Sequence, residues 1–154
     1  MEPRWLDDIE LRAWVAFLDT SNLLTRRIDQ QLREDGGLTQ PQYELLTRLA
    51  EAPQRRLRMT ELAELLVTSR SGLTYQVAQL EKVGLVRRES SEDDERGVVA
   101  NLTDTGMDVL QRTAPGHVKV VRDGLIDQLN REQLVALAST LEQVRVQLRR
   151  NKAW

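Results

Sequence analysis

Between positions 5 and 34 the apolar residues recur at helical spacing, with Leu6, Ile9, Ala13, Phe17, Leu24 and Ile28 on one stripe. A second stripe of Leu11, Trp14, Val15 and Leu18 widens that face beyond what one packing partner needs. Gly36-Gly37 stops this first helix. The next opens at Thr39-Gln40-Pro41-Gln42: Thr39 is placed to cap it, Gln42 to return the reciprocal bond, and Pro41 is tolerated in a first turn. Tyr43, Leu46, Leu49 and Ala50 give its buried side, and Pro53 ends it.

Thr60 is expected to cap a short third helix carrying Leu62, Ala63, Leu65 and Leu66. Thr68 or Ser69 then caps a fourth, with Leu73, Val77 and Leu80 inward and Gly84 at its C-terminal stop. Residues 85–89 and 97–102 have strand-compatible composition and flank a charged turn at 90–96, so they read as a β-hairpin. Thr103 starts a fifth helix, expected to be interrupted or kinked near Pro115-Gly116, where proline removes a backbone donor. Asn130 caps the last, whose Leu134, Leu137, Leu141, Val144 and Leu148 follow heptad spacing.

A helix-turn-helix followed by a β-hairpin is a winged helix. The expected fold is therefore mainly α with a small hairpin wing: a winged helix-turn-helix at 39–103, and helices at 1–38 and 104–154 forming a twofold dimerisation region, all in one compact domain. The outer helices carry more apolar surface than a small winged domain can cover, which motivates the dimer.

Composition narrows the function classes. With 154 residues, 40% apolar and 30% charged, the chain suits one ordinary globular domain. No cysteine is present, which excludes disulfides, zinc–thiolate sites and thiol redox switches. The acidic start at 1–8 is wrong for a signal peptide, and no apolar run approaches the ~20 residues of a membrane span. A cytoplasmic location is expected.

The net charge of −2 looks wrong for a nucleic-acid binder until the charges are located. Residues 53–88 hold seven bases (Arg55, Arg56, Arg58, Arg70, Lys82, Arg87 and Arg88) against three acids (Glu61, Glu64 and Glu81), leaving four net positive charges. Such a local basic surface can neutralise phosphates.

The fourth helix carries the sharper signal. With Leu73, Val77 and Leu80 inward, a rotation of about 100° per residue turns Ser71, Thr74, Tyr75, Ala78 and Gln79 outward. Hydroxyls, a phenol and an amide stand where a solvated helix carries Glu and Lys. Arg70 sits at the N-terminal end, which itself favours a phosphate. These groups can enter a major groove and exchange hydrogen bonds with base edges.

The run Gly84-Leu85-Val86-Arg87-Arg88, then Asp94-Glu95-Arg96, then Leu102-Thr103-Asp104-Thr105-Gly106 resembles the signature of the MarR (multiple antibiotic resistance regulator) family of winged helix-turn-helix transcription regulators. Including the helix order, the resemblance covers nearly the whole chain. It implies a sequence-specific regulator, most simply a repressor, acting as a homodimer on a pseudo-palindromic double-stranded DNA operator. By the same resemblance Arg96 reaches into the minor groove and Asp94 orients it, although the four acids at 92–95 oppose phosphate at that tip. The DNA-contact candidates are Ser69, Arg70, Ser71, Thr74, Tyr75, Gln79, Arg88, Asp94 and Arg96.

The resemblance also implies a small aromatic or anionic effector held between the dimer helices and the winged unit. Trp14, Phe17, Tyr43 and His117 are the candidates, each of which has a plain core or surface explanation. No cofactor, metal or membrane partner is expected, because one histidine and no cysteine offer no ligand cluster. No nucleophile pair or glycine-rich phosphate loop marks an enzyme. The alternative function is a winged helix used as a protein-interaction module without specific DNA binding.

Overall fold

A computed structural model describes residues 1–91 and 94–151, without the side chains of residues 91 and 94–96. Among the described residues, six α-helices and three strands follow the chain as α1 (Asp8–Gly36), α2 (Gln40–Glu51), β1 (Arg56–Arg58), α3 (Met59–Leu65), α4 (Arg70–Lys82), β2 (Val86–Ser91), β3 (Asp94–Leu102), α5 (Asp104–Gly124) and α6 (Arg131–Arg150). Single 3-10 turns at Pro53–Arg55 and Ile126–Gln128 complete it. Among the described residues no helix is long and apolar enough to cross a membrane.

The helix starts follow local chemistry. Thr39 and Gln42 form a capping box at α2, and Asn130 with Gln133 forms another at α6. Ser69 caps α4 by accepting from the Gly72 amide at 3.1 Å, and Thr103 caps α5. Asp7 and Glu10 form a third box at α1, so that helix begins at Asp8 rather than near Trp5. The expected Thr60 cap is corrected: α3 starts at Met59, Arg58 occupies the cap position, and no side chain caps it. Its first turn instead continues directly from the strand that precedes it.

That strand, β1, is an addition to the expected hairpin. The sheet has the order β1-β3-β2, with Arg56 opposite Asn101 and Arg58 opposite Val99. Two of its three residues are arginines, so it carries no apolar alternation. Pairing with β3 alone makes it a strand. The hairpin strands are also longer than the compositional run, pairing Val86 with Leu102 and Ser90 with Val98.

The expected interruption of the fifth helix is also corrected, since α5 runs unbroken through Pro115. Proline denies a hydrogen bond to the carbonyl of Gln111, but both residues are exposed and water can satisfy that oxygen. Gly116, next along, lets α5 cross close over α1. A Cβ there would overlap the Asp35 carboxylate and lie 2.7 Å from Gln31 Nε2.

The core joins α1 to the winged unit through Ile28, Leu32, Leu46, Leu49, Leu73, Val77 and Leu80, with Val86, Ala100 and Leu102 from the sheet. In contrast, α6 buries no residue, and the first half of α1 buries none either. Trp5 ahead of α1, Ile9, Trp14 and Phe17 on it, and Leu141, Val144 and Leu148 on α6 all face outward.

Candidate nucleic-acid interface

Position α4 on its buried leucines and its outer face follows. Leu73, Val77 and Leu80 are almost fully covered. Ser69, Arg70, Ser71, Thr74 and Tyr75 are exposed, and Gln79 is half-buried one turn further on. Tyr75 keeps 62% of its surface, so its phenol is a surface group and not core. The Thr74 hydroxyl donates to the Arg70 carbonyl at 2.8 Å. Its hydrogen is therefore committed, while its lone pairs and its methyl group remain to meet a partner. Ser69 is occupied as the cap, with its hydroxyl 3.3 Å from that of Ser71.

The basic surface is weaker than the count over 53–88 implies. Arg55 lies 3.6 Å from Asp104, and Arg56 lies 3.7 Å from Glu89. Arg87 also approaches Glu89, at 4.0 Å, and Arg88 meets Glu81 at 3.0 Å. Glu89 and Asp104 stand outside the counted window, and folding brings them in. Among the described residues no acid reaches ion-pair distance of Arg70. That guanidinium stands at the N-terminus of α4, where the helix dipole adds to its field.

A cleft of about 400 Å³ lies between this helix and the sheet, lined by Arg58, Met59, Thr60, Arg70, Thr74, Arg88, Gly97 and Val98 among others. Arg58 counts among the bases and Thr60 was read as a cap, but neither stood among the DNA-contact candidates, because their place beside α4 depends on β1 joining the sheet. The side chains of Asp94 and Arg96 lie outside the described ones, so only their position on β3 is defined.

The Leu-Thr-x-x-Gly run has a structural task. The Thr103 hydroxyl donates to the Gly84 carbonyl at 2.7 Å and accepts from the Gly106 amide at 3.0 Å. The Thr103 amide donates to the Leu85 carbonyl at 3.1 Å. These bonds close the base of the wing against the first turn of α5.

The four aromatic candidates fall into two pairs. Trp14 and Phe17 sit on the exposed face of α1, with ring centroids 6.3 Å apart. Phe17 also borders a cleft of about 490 Å³ with Val67 and with Leu141, Val144 and Leu148 of α6. Val67, in the turn between α3 and α4, has a φ of 52°, a strained backbone for a β-branched residue. Tyr43 and His117 stack at 4.4 Å and tie α2 to α5. Burial pushes the Tyr43 phenol up and the His117 imidazole down from their ordinary values. Among the described residues nothing hydrogen-bonds the buried His117 Nδ1.

A pH dependence follows from that histidine. Its folded pKa is depressed, so between that value and the unfolded one near 6.5 the unfolded chain binds more protons. Its contribution to stability is full above about pH 6.5 and is lost as the pH falls. Thermal unfolding from about pH 8 to about pH 5 should show this loss, and His117→Phe, which keeps a ring against Tyr43, should flatten it. Identical profiles for the two proteins would remove His117 as the source.

Comparison with known proteins agrees with this geometry. The model of the MarR family matches residues 38–98. Sco3205, a MarR family transcriptional regulator from Streptomyces coelicolor solved in complex with DNA, is 45% identical and superposes with a TM-score of 0.93, covering 99% of this chain and 94% of that one. AbsC, another MarR family transcriptional regulator from that organism, is 39% identical with a TM-score of 0.92, covering 96% and 99%. The HTH-type transcriptional regulator PecS of Dickeya dadantii (strain 3937) is 26% identical over 147 residues, covering 94% of this chain and 87% of its own length.

Proposed function

The chain belongs to the MarR family of transcription regulators, and from that premise we propose that it binds a pseudo-palindromic operator as a homodimer and represses by occupying it. It is a DNA-binding regulator, and occupancy alone, without catalysis, is its proposed mode of action in the cytoplasm. The observation that carries this reading is the exposed, uncharged polar face of α4 beside Arg70, which no acid among the described residues pairs.

In this reading α4 lies in the major groove, with Arg70 on a phosphate and Ser71, Thr74, Tyr75 and Gln79 toward base edges. The Thr74 methyl suits the methyl of thymine, and its lone pairs suit an exocyclic amine. Arg96 enters the adjacent minor groove, where a narrow groove attracts a guanidinium, and Asp94 orients it. Residues 1–38 and 104–154 form the twofold dimerisation region, which sets the two α4 helices about 34 Å apart, one turn of DNA.

A small aromatic or anionic effector that loosens this grip belongs to the same reading. The Tyr43–His117 pair joins the reading unit to the dimer helices, and Trp14 with Phe17 lies on the dimer face itself.

Selection of random duplex DNA on the purified protein at two salt concentrations tests the function. Recovery of a two-half-site sequence supports it. Retention that is salt-sensitive but blind to sequence leaves a general DNA binder, and no retention turns the winged helix into a protein-interaction module. On the recovered site, Thr74→Ala or Tyr75→Ala should relax base preference, on the order of 1–3 kcal/mol per good contact. Arg96→Ala should weaken binding more evenly across sequences. Gel-shift affinities that match the unmutated protein for all three variants would show that α4 and the wing do not form the DNA surface.

A further inference from the structure

Arg88 occupies an unusual place for a groove-reading arginine. It lies two residues from the buried Val86 and opposite the buried Ala100, so the two-residue period of a strand aims its side chain toward the helices. A guanidinium on the core side of a sheet is costly unless its donors are met. β2 is also an edge strand, so an amide directed away from β3 has no neighbouring strand to receive it.

One carboxylate answers both needs. Oε2 of Glu81, in the last turn of α4, accepts from the Arg88 backbone amide at 2.9 Å. Oε1 accepts from Arg88 Nε at 3.3 Å and from Nη2 at 3.0 Å. Both side chains are about two-thirds covered, at 35% and 32% exposure. The hydrogen bonds from Arg88 hold the Glu81 carboxyl below its ordinary pKa, so the pair stays ionised at neutral pH. Two of Arg88's guanidinium nitrogens are thus spent inside the protein.

We propose that Glu81 is a positioning residue for DNA recognition, clamping the wing strand β2 to the C-terminal turn of α4 through Arg88. The helix that reads the major groove and the hairpin directed at the minor groove then meet DNA as one body. Arg88 serves this clamp and does not neutralise a phosphate. The inference rests on the DNA-binding reading above and deepens it, because it names the residue that sets the angle between the two reading elements.

Simple electrostatics makes the opposite forecast, which renders the clamp testable. Removing an acid beside a DNA-binding surface should tighten phosphate binding. With the clamp, Glu81→Gln weakens operator binding despite the lost negative charge, on the order of threefold to tenfold. Arg88→Lys keeps the charge but loses the fork, and should weaken binding to a similar extent. The double variant should be no weaker than either single one, and the slope of log affinity against log salt should stay within the wild-type value.

The experiment is fluorescence anisotropy on the selected operator for the wild-type chain, Glu81→Gln, Arg88→Lys, their double variant and Arg88→Gln, at several salt concentrations. Unfolding midpoints are measured alongside, so that affinities are compared among folded proteins. Unchanged or tighter binding by Glu81→Gln overturns the clamp while leaving DNA binding intact. So does wild-type affinity in Arg88→Lys, or an Arg88→Gln variant whose salt slope falls by about one phosphate contact. A wild-type chain that retains no duplex overturns the DNA-binding reading itself and the clamp with it.

Discussion

Gly106→Ala is expected to lower the unfolding midpoint by roughly 5–10 °C, equivalent to about 2–3 kcal/mol. Intrinsic propensity forecasts the reverse, since alanine in place of glycine favours a helix by up to about 1 kcal/mol. Packing decides the sign. A Cβ at Gly106 would overlap the Leu85 carbonyl oxygen and lie 2.7 Å from Leu102 Cδ1. The leucine could rotate away, but the carbonyl is backbone, and it already accepts the Thr103 amide. Relief therefore requires α5 to lift from the wing base, which weakens the Thr103–Gly84 and Thr103–Gly106 bonds as well. Calorimetry at fixed protein concentration measures this, because the proposed dimer would make the midpoint concentration-dependent. A midpoint equal to or above wild type would mean that the first turn of α5 does not bear on the hairpin.

Leu141→Glu is expected to convert the proposed dimer into monomers and to lower operator affinity by at least a hundredfold. Leu141 lies on α6, which buries nothing within the protomer, and it borders the apolar cleft that includes Phe17 and Val67. Its outward neighbours Val144 and Leu148, with Phe17 across the cleft and Trp14 beside that ring, are exposed apolar residues of the kind that mark an interface. A twofold interface doubles every substitution, so one glutamate per chain brings two charges into a desolvated seam. Each half-site alone is bound without the gain that linkage provides. Sedimentation gives the mass and anisotropy gives the affinity. An unchanged dimer mass would remove this part of α6 from the interface, and a monomer of undiminished affinity would show that the two half-sites are bound independently.

These two residues differ in how visible they were. The apolar positions of α6 show their heptad spacing in the sequence, and the structure leaves that face outward. Gly106 was visible as part of a motif that resembles the MarR signature, yet nothing local explained why a glycine stood there. Its reason is a carbonyl in the turn before β2, 21 positions earlier.

The same division runs through the molecule. The caps at Thr39, Thr103 and Asn130, the stop at Gly36-Gly37 and the outward turn of Ser71, Thr74 and Tyr75 were all legible in the sequence. Each depends on residues within about one or two helical turns, where spacing and side-chain chemistry fix the geometry. The unbroken course of α5 through Pro115, the existence of β1, the neutralising of Arg55 and Arg56 by acids from outside their segment, and the turning of Arg88 onto Glu81 were not. Periodicity reports which face of an element is buried, but not which partner covers it. β1 becomes a strand by pairing with a segment more than forty residues away, and Arg88 becomes a clamp because β2 is an edge and α4 ends beside it. Those outcomes belong to the tertiary structure, because unpaired backbone groups and buried charges are settled by whichever neighbour the whole fold brings near.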